Sequence, residues 1–355
     1  MSDTPSRSIC ATMQHHYALA ETDEVYQANR RAIESHTSRA RLAPRVDVVR
    51  IPVVVHVIYR TAGEHLSNGQ IDSQIEALNR DFRMRNLDVS TIPESFRDLA
   101  ADTLIEFGLA VRDPQGNTTT GVTRTRTSLN GFPYDSSDPQ SIRRLDQLIK
   151  HDEFGKAAWP RDDYLNLWVC SIRGGLLGYA QFPGGPAASD GVVVHNTAFG
   201  QNGIARAPFN LGRTGVHEIG HFFNLLHIWG DDEGGCLGSD NVGDTPNQGA
   251  ANTRRPTFPN HSCGNEPHGD MFMNYMDYVF DDTMVMFTKG QVRRMNAALS
   301  GPRAALTRSR GLLPVETDLV DVDAGFREAR ESHSLPASSE RGSKVEQVFD
   351  GVYWV

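Results

Sequence analysis

The chain has 355 residues, 39% of them hydrophobic, and a formal net charge of -9. This supports one large core or two modest ones, and an acidic chain without a Lys/Arg block excludes nucleic acid or an anionic membrane as the main partner. No apolar run approaches the roughly 18 residues of a transmembrane helix.

Residues 1–45 are polar and read as helical around ETDEVYQANRRAIESHTSRA, ending in the exposed basic linker RARLAPR. The first 24 residues have no apolar centre, so no secretory signal is visible; export would follow trimming or use another route. DVVRIPVVVHVIYR reads as the first core strand. GQIDSQIEALNRDFRM places Ile71, Ile75, Leu78 and Phe82 on one helical face. LIEFGLAVRD alternates Ile105, Phe107, Leu109 and Val111, as a strand with one buried face does. YLNLWVCSI, GGLLGYAQFP and DGVVVHN read as further strands, with Cys170 a buried small hydrophobe. The four cysteines are far apart and form no CxxC pair, which argues against a Cys-only zinc knuckle. After HEIGHFFNLLH the chain is loop-rich from Gly230 to about His268, and TKGQVRRMNAALS reads as the last helix. Residues 303–355 are expected to be a polar tail of unassigned role, and there is no internal repeat. The fold class is α+β.

HEIGHFFNLLH carries the chemistry. His217 and His221, four apart on a helix, stand one turn apart on one face and can grip one Zn2+. Glu218 lies about 100° round, within reach of a metal-bound water without being a ligand. His227, six residues after His221, would point about 240° away on a continuing helix. It reaches the same ion only if the helix stops and reverses, which requires a residue tolerant of positive φ; Asn224 is that residue. Three histidines leave one zinc position open, the arrangement of a catalytic site. The reaction expected is amide hydrolysis, with Glu218 moving the proton of the zinc-bound water to the leaving amine.

The motif resembles HExxHxxGxxH of the metzincin metallopeptidases, with Asn224 in place of Gly. HIWGDD, DNVGDTPNQ, NYMDY, MFTKGQVRRM, LNLWVC and GGLLGYAQFPGG together resemble the pappalysin family over about residues 50–300. The resemblance implies a two-lobed catalytic domain over 46–302. An upper subdomain (46–224) would hold a twisted mixed sheet with backing helices, the active-site helix would lie in the middle, and an irregular lower subdomain (225–302) would end in a helix. It implies Met276 as the methionine floor beneath the zinc and Tyr278 as the group steadying the tetrahedral intermediate. It implies that Leu177, Gly178 and Tyr179 offer backbone groups to an extended substrate, the alternative being an ordinary edge strand. Asp240, the Val242 carbonyl, Asp244 and Thr245 match the family's calcium loop, the alternative being a solvated acidic turn. Cys236 and Cys263 match a family disulfide, while Arg255 and Thr283 stand where relatives often carry a second bridge.

Residues 1–45 resemble a propeptide. In SICATMQHH, Cys10 would cap the zinc as a thiolate, the alternative being an unpaired exposed thiol, and cleavage near Arg41 or Arg45 would release it. Asp277, Asp281 and Asp282 follow the methionine turn, where the resemblance implies the pocket for the residue after the cut; it implies Asp281 at the base of a pocket for Arg or Lys, the alternative being a solvated acidic loop. The implied protein is a secreted, monomeric zinc endopeptidase acting on proteins or peptides and made as a zymogen. A metal-stabilised peptide-binding protein with weak or no proteolysis is the second reading. A gluzincin, with a later Glu as third ligand, is disfavoured because Glu233 follows too soon.

Overall fold

The computed structural model describes residues 10–40, 45–232 and 234–315. Its elements are α1 (Thr12–Thr22), α2 (Glu24–Arg39), β1 (Val49–Tyr59), α3 (Asn68–Phe82), the single turn α4 (Glu94–Arg97), β2 (Ile105–Leu109), β3 (Val122–Arg126), β4 (Phe132–Pro133) and α5 (Ser141–Ile149). Then come β5 (Leu165–Cys170), β6 (Ile172–Arg173), β7 (Gly178–Ala180), β8 (Val192–His195), α6 (Arg213–Phe222), β9 (Thr253–Arg254), β10 (Tyr278–Val279) and α7 (Lys289–Ser300).

β1 is buried without a break from Ile51 to Ile58. A strand covered on both faces reads as a continuous apolar run, and β1 accordingly lies inside a mostly parallel sheet. It pairs with β2 through Val49–Val53 and with β3 through Val55–Tyr59 along one edge, and with β5 along the other. β8 follows β5 in parallel, and the short β7 closes that side as an antiparallel edge strand. On one face Val53, Val55, Val57, Leu167 and Val169 meet Ile71, Leu78 and Phe82 of α3 and Val216, Ile219 and Phe222 of α6. On the other, Trp168, Cys170 and Val193 meet Ile142, Leu145 and Ile149 of α5. Each such aliphatic side chain contributes roughly 1.5–3 kcal/mol by leaving water.

Ile71, Leu78 and Phe82 are fully buried, whereas Ile75 is half-buried. The inward stripe is shifted because α3 also holds the loop that leads into α6. Gln70 Nε2 donates to Phe199 O at 2.9 Å, and Gln74 Nε2 donates to Gly212 O at 2.9 Å while its Oε1 accepts from Gly200 N at 2.7 Å. On β2, Ile105 and Phe107 are buried, but Leu109 is only half-covered and Val111 is exposed because the strand ends there.

The polar tail does not start after Pro302. Arg303 is buried and pairs with buried Asp190, its Nη2 lying 2.9 Å from Asp190 Oδ1. Leu306 is buried, and Val111 N donates to Gly311 O at 2.8 Å. The compact unit runs to Val315, and it includes α1 and α2. Residues 316–355, with the apolar VFDGVYWV end, lie outside the described residues, as does Arg41. No helix of the described residues is long and apolar enough to cross a membrane.

Replacing Arg303 with Ala leaves the Asp190 carboxylate buried, with Arg161 3.9 Å away as its remaining cation. Urea unfolding should show a loss of about 3–5 kcal/mol, against about 0.5 kcal/mol or less for exposed Arg308→Ala.

Candidate active site and metal centre

All ten residues of α6 are buried, so its side chains meet fixed partners on every side. The helix ends at Phe222, and Asn224 stands at φ 75°. Asn224 N donates to His221 O at 2.8 Å and Leu225 N donates to Gly220 O at 3.0 Å. These are the paired 5→2 and 6→1 bonds that stop a helix and turn its chain. The reversal carries His227 back beneath α6, where Nε2 of His221 lies 3.1 Å from Nε2 of both His217 and His227.

The opposite ring nitrogens fix the tautomers. Nδ1 of His217 lies 2.7 Å from Tyr275 O, Nδ1 of His221 2.7 Å from Leu225 O, and Nδ1 of His227 2.7 Å from Asp231 Oδ1. Each Nδ1 is therefore placed to donate a proton, and the three Nε2 atoms face one another. Burial, then the neighbouring His227, pushes His217 down to about 3 and His221 well below the ordinary histidine range, so these two rings stay neutral. Lone pairs that converge in this way repel unless a cation sits among them. Tetrahedral zinc ligands at about 2.05 Å lie about 3.3 Å apart, which these nitrogens nearly match. The donor set fits a divalent zinc ion.

Cys10 completes the group: its Sγ and the three imidazoles bring ligand atoms within 4.8 Å of one another. Cys10 is buried, so it is not an exposed thiol. Its backbone forms a parallel bridge with Gly178, and Ala11 N donates to Gly178 O at 3.1 Å. Thr12 had no assigned role in the sequence. Its hydroxyl donates to Glu218 Oε2 at 3.0 Å and accepts from Ala180 N at 2.8 Å, tying the first helix to both the strand edge and the glutamate. Burial pushes Glu218 up to about 8, against hydrogen bonds from Thr12 and Cys10 that lower it, and its Oε1 is buried with no hydrogen-bond partner among the described residues.

Three neighbours shape the floor and walls. Met276 is fully buried directly beneath α6; a Cβ on Gly220 would stand 2.5 Å from its sulfur. Tyr278 places its ring 4.9 Å from His227 and its hydroxyl 3.5 Å from Cys10 O. Trp229 stacks on His227 at 4.3 Å between ring centres. Neither Trp229 nor Asp231 was assigned a role from sequence, although both lie in the quoted HIWGDD.

The open edge of β7 is narrower than Leu177, Gly178 and Tyr179 together. Leu177 O accepts from His195 N at 2.7 Å and so faces β8. Backbone groups alternate sides along an antiparallel strand, which turns Tyr179 inward too, and its hydroxyl donates to Asp146 Oδ1 at 3.0 Å. Gly178 and Ala180 are the residues whose backbone faces outward.

In the Asp240 loop, the Thr245 hydroxyl bridges Asp240 Oδ2 at 2.8 Å and Val242 O at 3.0 Å, and burial pushes Asp240 up to about 7. The Asp244 carboxylate instead turns away to the start of α7, accepting from Thr288 Oγ1 and Gly290 N, each at 2.7 Å. Cys236 and Cys263 form a disulfide. Arg255 reaches Asp282, the neighbour of Thr283, as an exposed ion pair. Asp277 is buried and engaged by Gln248, Asn252 and the Tyr278 amide. Asp281 Oδ2 accepts from Leu211 N at 2.7 Å, whereas its Oδ1 is buried without a hydrogen-bond partner among the described residues.

A carboxylate on the far nitrogen of a metal-binding histidine fixes the ring and raises its basicity. Asp231→Ala should therefore weaken zinc binding about 10–100-fold, measured by competition with a chromogenic chelator. Unchanged affinity would remove Asp231 from the site.

The chain matches the family described as pregnancy-associated plasma protein-A over residues 149–300. It is 30% identical over 289 residues to an extracellular metalloprotease of Verticillium alfalfae, covering 77% of this chain and 82% of that protein. It spans about half the length of other curated metalloproteases that it matches. A promirolysin mutant of Tannerella forsythia superposes with a TM-score of 0.75 at 41% identity, covering 85% of this chain and 97% of that one. Mature mirolysin of the same organism, solved with a cleaved peptide, gives a TM-score of 0.69 at 46% identity over 74% of this chain and 97% of its own. The chain belongs to the pregnancy-associated plasma protein-A, or pappalysin, family of metzincin metallopeptidases.

Proposed function

We propose that this protein is a zinc-dependent endopeptidase made as a latent zymogen. The observation that carries the reading is the meeting of three Nε2 atoms beside a buried glutamate, with a cysteine sulfur in the same cluster. Zinc, when bound, would polarise a scissile carbonyl and acidify a water. Glu218, fixed on a fully buried helix, accepts the proton of the attacking water and returns it to the leaving amine. The Tyr278 hydroxyl, beside the Cys10 carbonyl in the latent form, donates to the oxygen that develops charge. Met276 packs under the metal-binding helix and keeps both histidine rings in place. A peptide adds to the outward backbone of Gly178 and Ala180.

Latency follows from the same geometry. Burial, then Glu218, pushes the Cys10 thiol well above its ordinary range, so it ionises only beside a cation. With zinc bound, Cys10 would supply a thiolate ligand in place of a water, and Thr12 holds the glutamate that would activate the water.

The partnerless Asp281 Oδ1 supports cleavage before Arg or Lys. A buried carboxylate oxygen without a donor is costly, and a substrate guanidinium or ammonium would satisfy it. Asp240, the Val242 carbonyl and Thr245 suit a structural calcium ion, with Asp244 holding the loop to α7. The disulfide and the extracellular relatives support secretion.

The full chain carrying Cys10→Ala should hydrolyse casein without activation. A zinc chelator should abolish this, and Glu218→Ala should lower the rate by about 10²–10⁴-fold. Unchanged activity in Glu218→Ala would favour the peptide-binding reading. In a peptide library, cleavage should occur before Arg and Lys, and Asp281→Asn should cut kcat/KM for those peptides by about tenfold or more. A preference for Leu or Phe after the cut would remove Asp281 from the pocket.

A further inference from the structure

We propose that Arg30 and Glu34 of α2 form a second latch, independent of the Cys10 thiol, whose catch is the side chain of Asn224 together with Arg294; this rests on the zymogen reading above. Both ends of the Asn224 carboxamide are held by the N-terminal segment. Arg30 Nη1 donates to Asn224 Oδ1 at 2.6 Å, and Asn224 Nδ2 donates to Glu34 Oε1 at 3.1 Å. Arg294, on α7, donates from Nε to Asn224 O at 2.6 Å and from Nη2 to both Glu34 oxygens at 2.7 and 2.8 Å. Arg30 Nη2 closes the circuit on Glu34 Oε1 at 3.0 Å. Arg30, Asn224 and Arg294 are all buried.

The match is specific to an amide. Glycine at 224 would satisfy the same positive φ, but it would leave the buried Arg30 guanidinium facing an empty place. Aspartate would set an anion against Glu34. Asparagine offers an acceptor to the cation and a donor to the anion from one short side chain. The departure from HExxHxxGxxH thus supplies a handle on the turn that delivers His227. Around it, Asn29 Nδ2 donates to Gly184 O at 2.9 Å, and the Arg30 guanidinium lies 4.8 Å over the Phe182 ring, which itself stands edge-on to His221. Charge-assisted hydrogen bonds of this kind are among the strongest polar contacts in a protein. The segment is therefore gripped at the metal centre through residues 10–12 and separately at the helix stop through residues 30 and 34, besides contacts of His15 with Asp146 and of His36 with Ala297 O.

Hydrogen exchange on the full chain, in a Glu218→Gln background, separates the two grips. Cys10→Ala should loosen residues 10–12 while the amides of α2 keep the protection of the parent. Arg30→Ala/Glu34→Ala, and separately Asn224→Gly, should speed exchange across α2 by about tenfold or more, with β1 unchanged as the measure of an intact fold. The proposal is overturned if Cys10→Ala alone opens α2 to the same extent, or if α2 in Asn224→Gly stays as protected as in the parent. Neither reading depends on proteolysis, so a chain that cuts nothing would still decide the matter.

Discussion

The metal centre depends on one backbone reversal. Had α6 continued past Phe222, His227 would have pointed to the far side of the helix, and two imidazoles alone would face the edge strand. The left-handed residue at 224 costs a non-glycine side chain roughly 1–2 kcal/mol. Three things offset that cost: the two backbone bonds that close the helix, the Arg294 bond to the Asn224 carbonyl, and the use of the carboxamide by α2. Strain at a functional site persists only where the surroundings over-determine it, and here they do so from three elements.

A second theme is how much of the polar apparatus is buried. α6 has no solvent face, its two histidines are oriented by backbone carbonyls, and His227 beyond it by the Asp231 carboxylate. In such surroundings a missing partner is expensive and a present one is strong. Among the described residues three buried carboxylate oxygens have no hydrogen-bond partner, on Glu218, Asp232 and Asp281, and they are conspicuous for that reason.

Much of this was legible before any coordinates. β1, β5, β8, α3 and α7 carry local apolar patterns, and the spacing of His217, Glu218, His221 and His227 encodes its own geometry. What was not legible is what sequence distance hides. β3 (VTRTR) has no apolar face to reveal it, because its residues are half-covered on both sides. α5 is only nine residues long, too short for the helical spacing of Ile142, Leu145 and Ile149 to stand out. The chain from Arg303 to Val315 looks polar, but Arg303 finds its carboxylate 113 residues away. Thr12 meets Glu218 across 206 residues and Glu34 meets Arg294 across 260. The backbones of Leu177 and Tyr179 face β8, which a strand's alternation does not reveal, because it shows two sides but not which side has a neighbour.

Gly178 stands where the N-terminal segment crosses the edge strand, and a Cβ there would lie 2.9 Å from Glu218 Oε1 and 3.0 Å from Val193 O. The cleft wall at this point is bare main chain, pressed against the glutamate with no slack. A strand that presents only amide and carbonyl reads the outline of a visiting chain and not its letters. On the zymogen reading proposed above, residues 10–12 and a substrate chain would contend for this one berth, and activation would amount to vacating a seat already shaped for its next occupant.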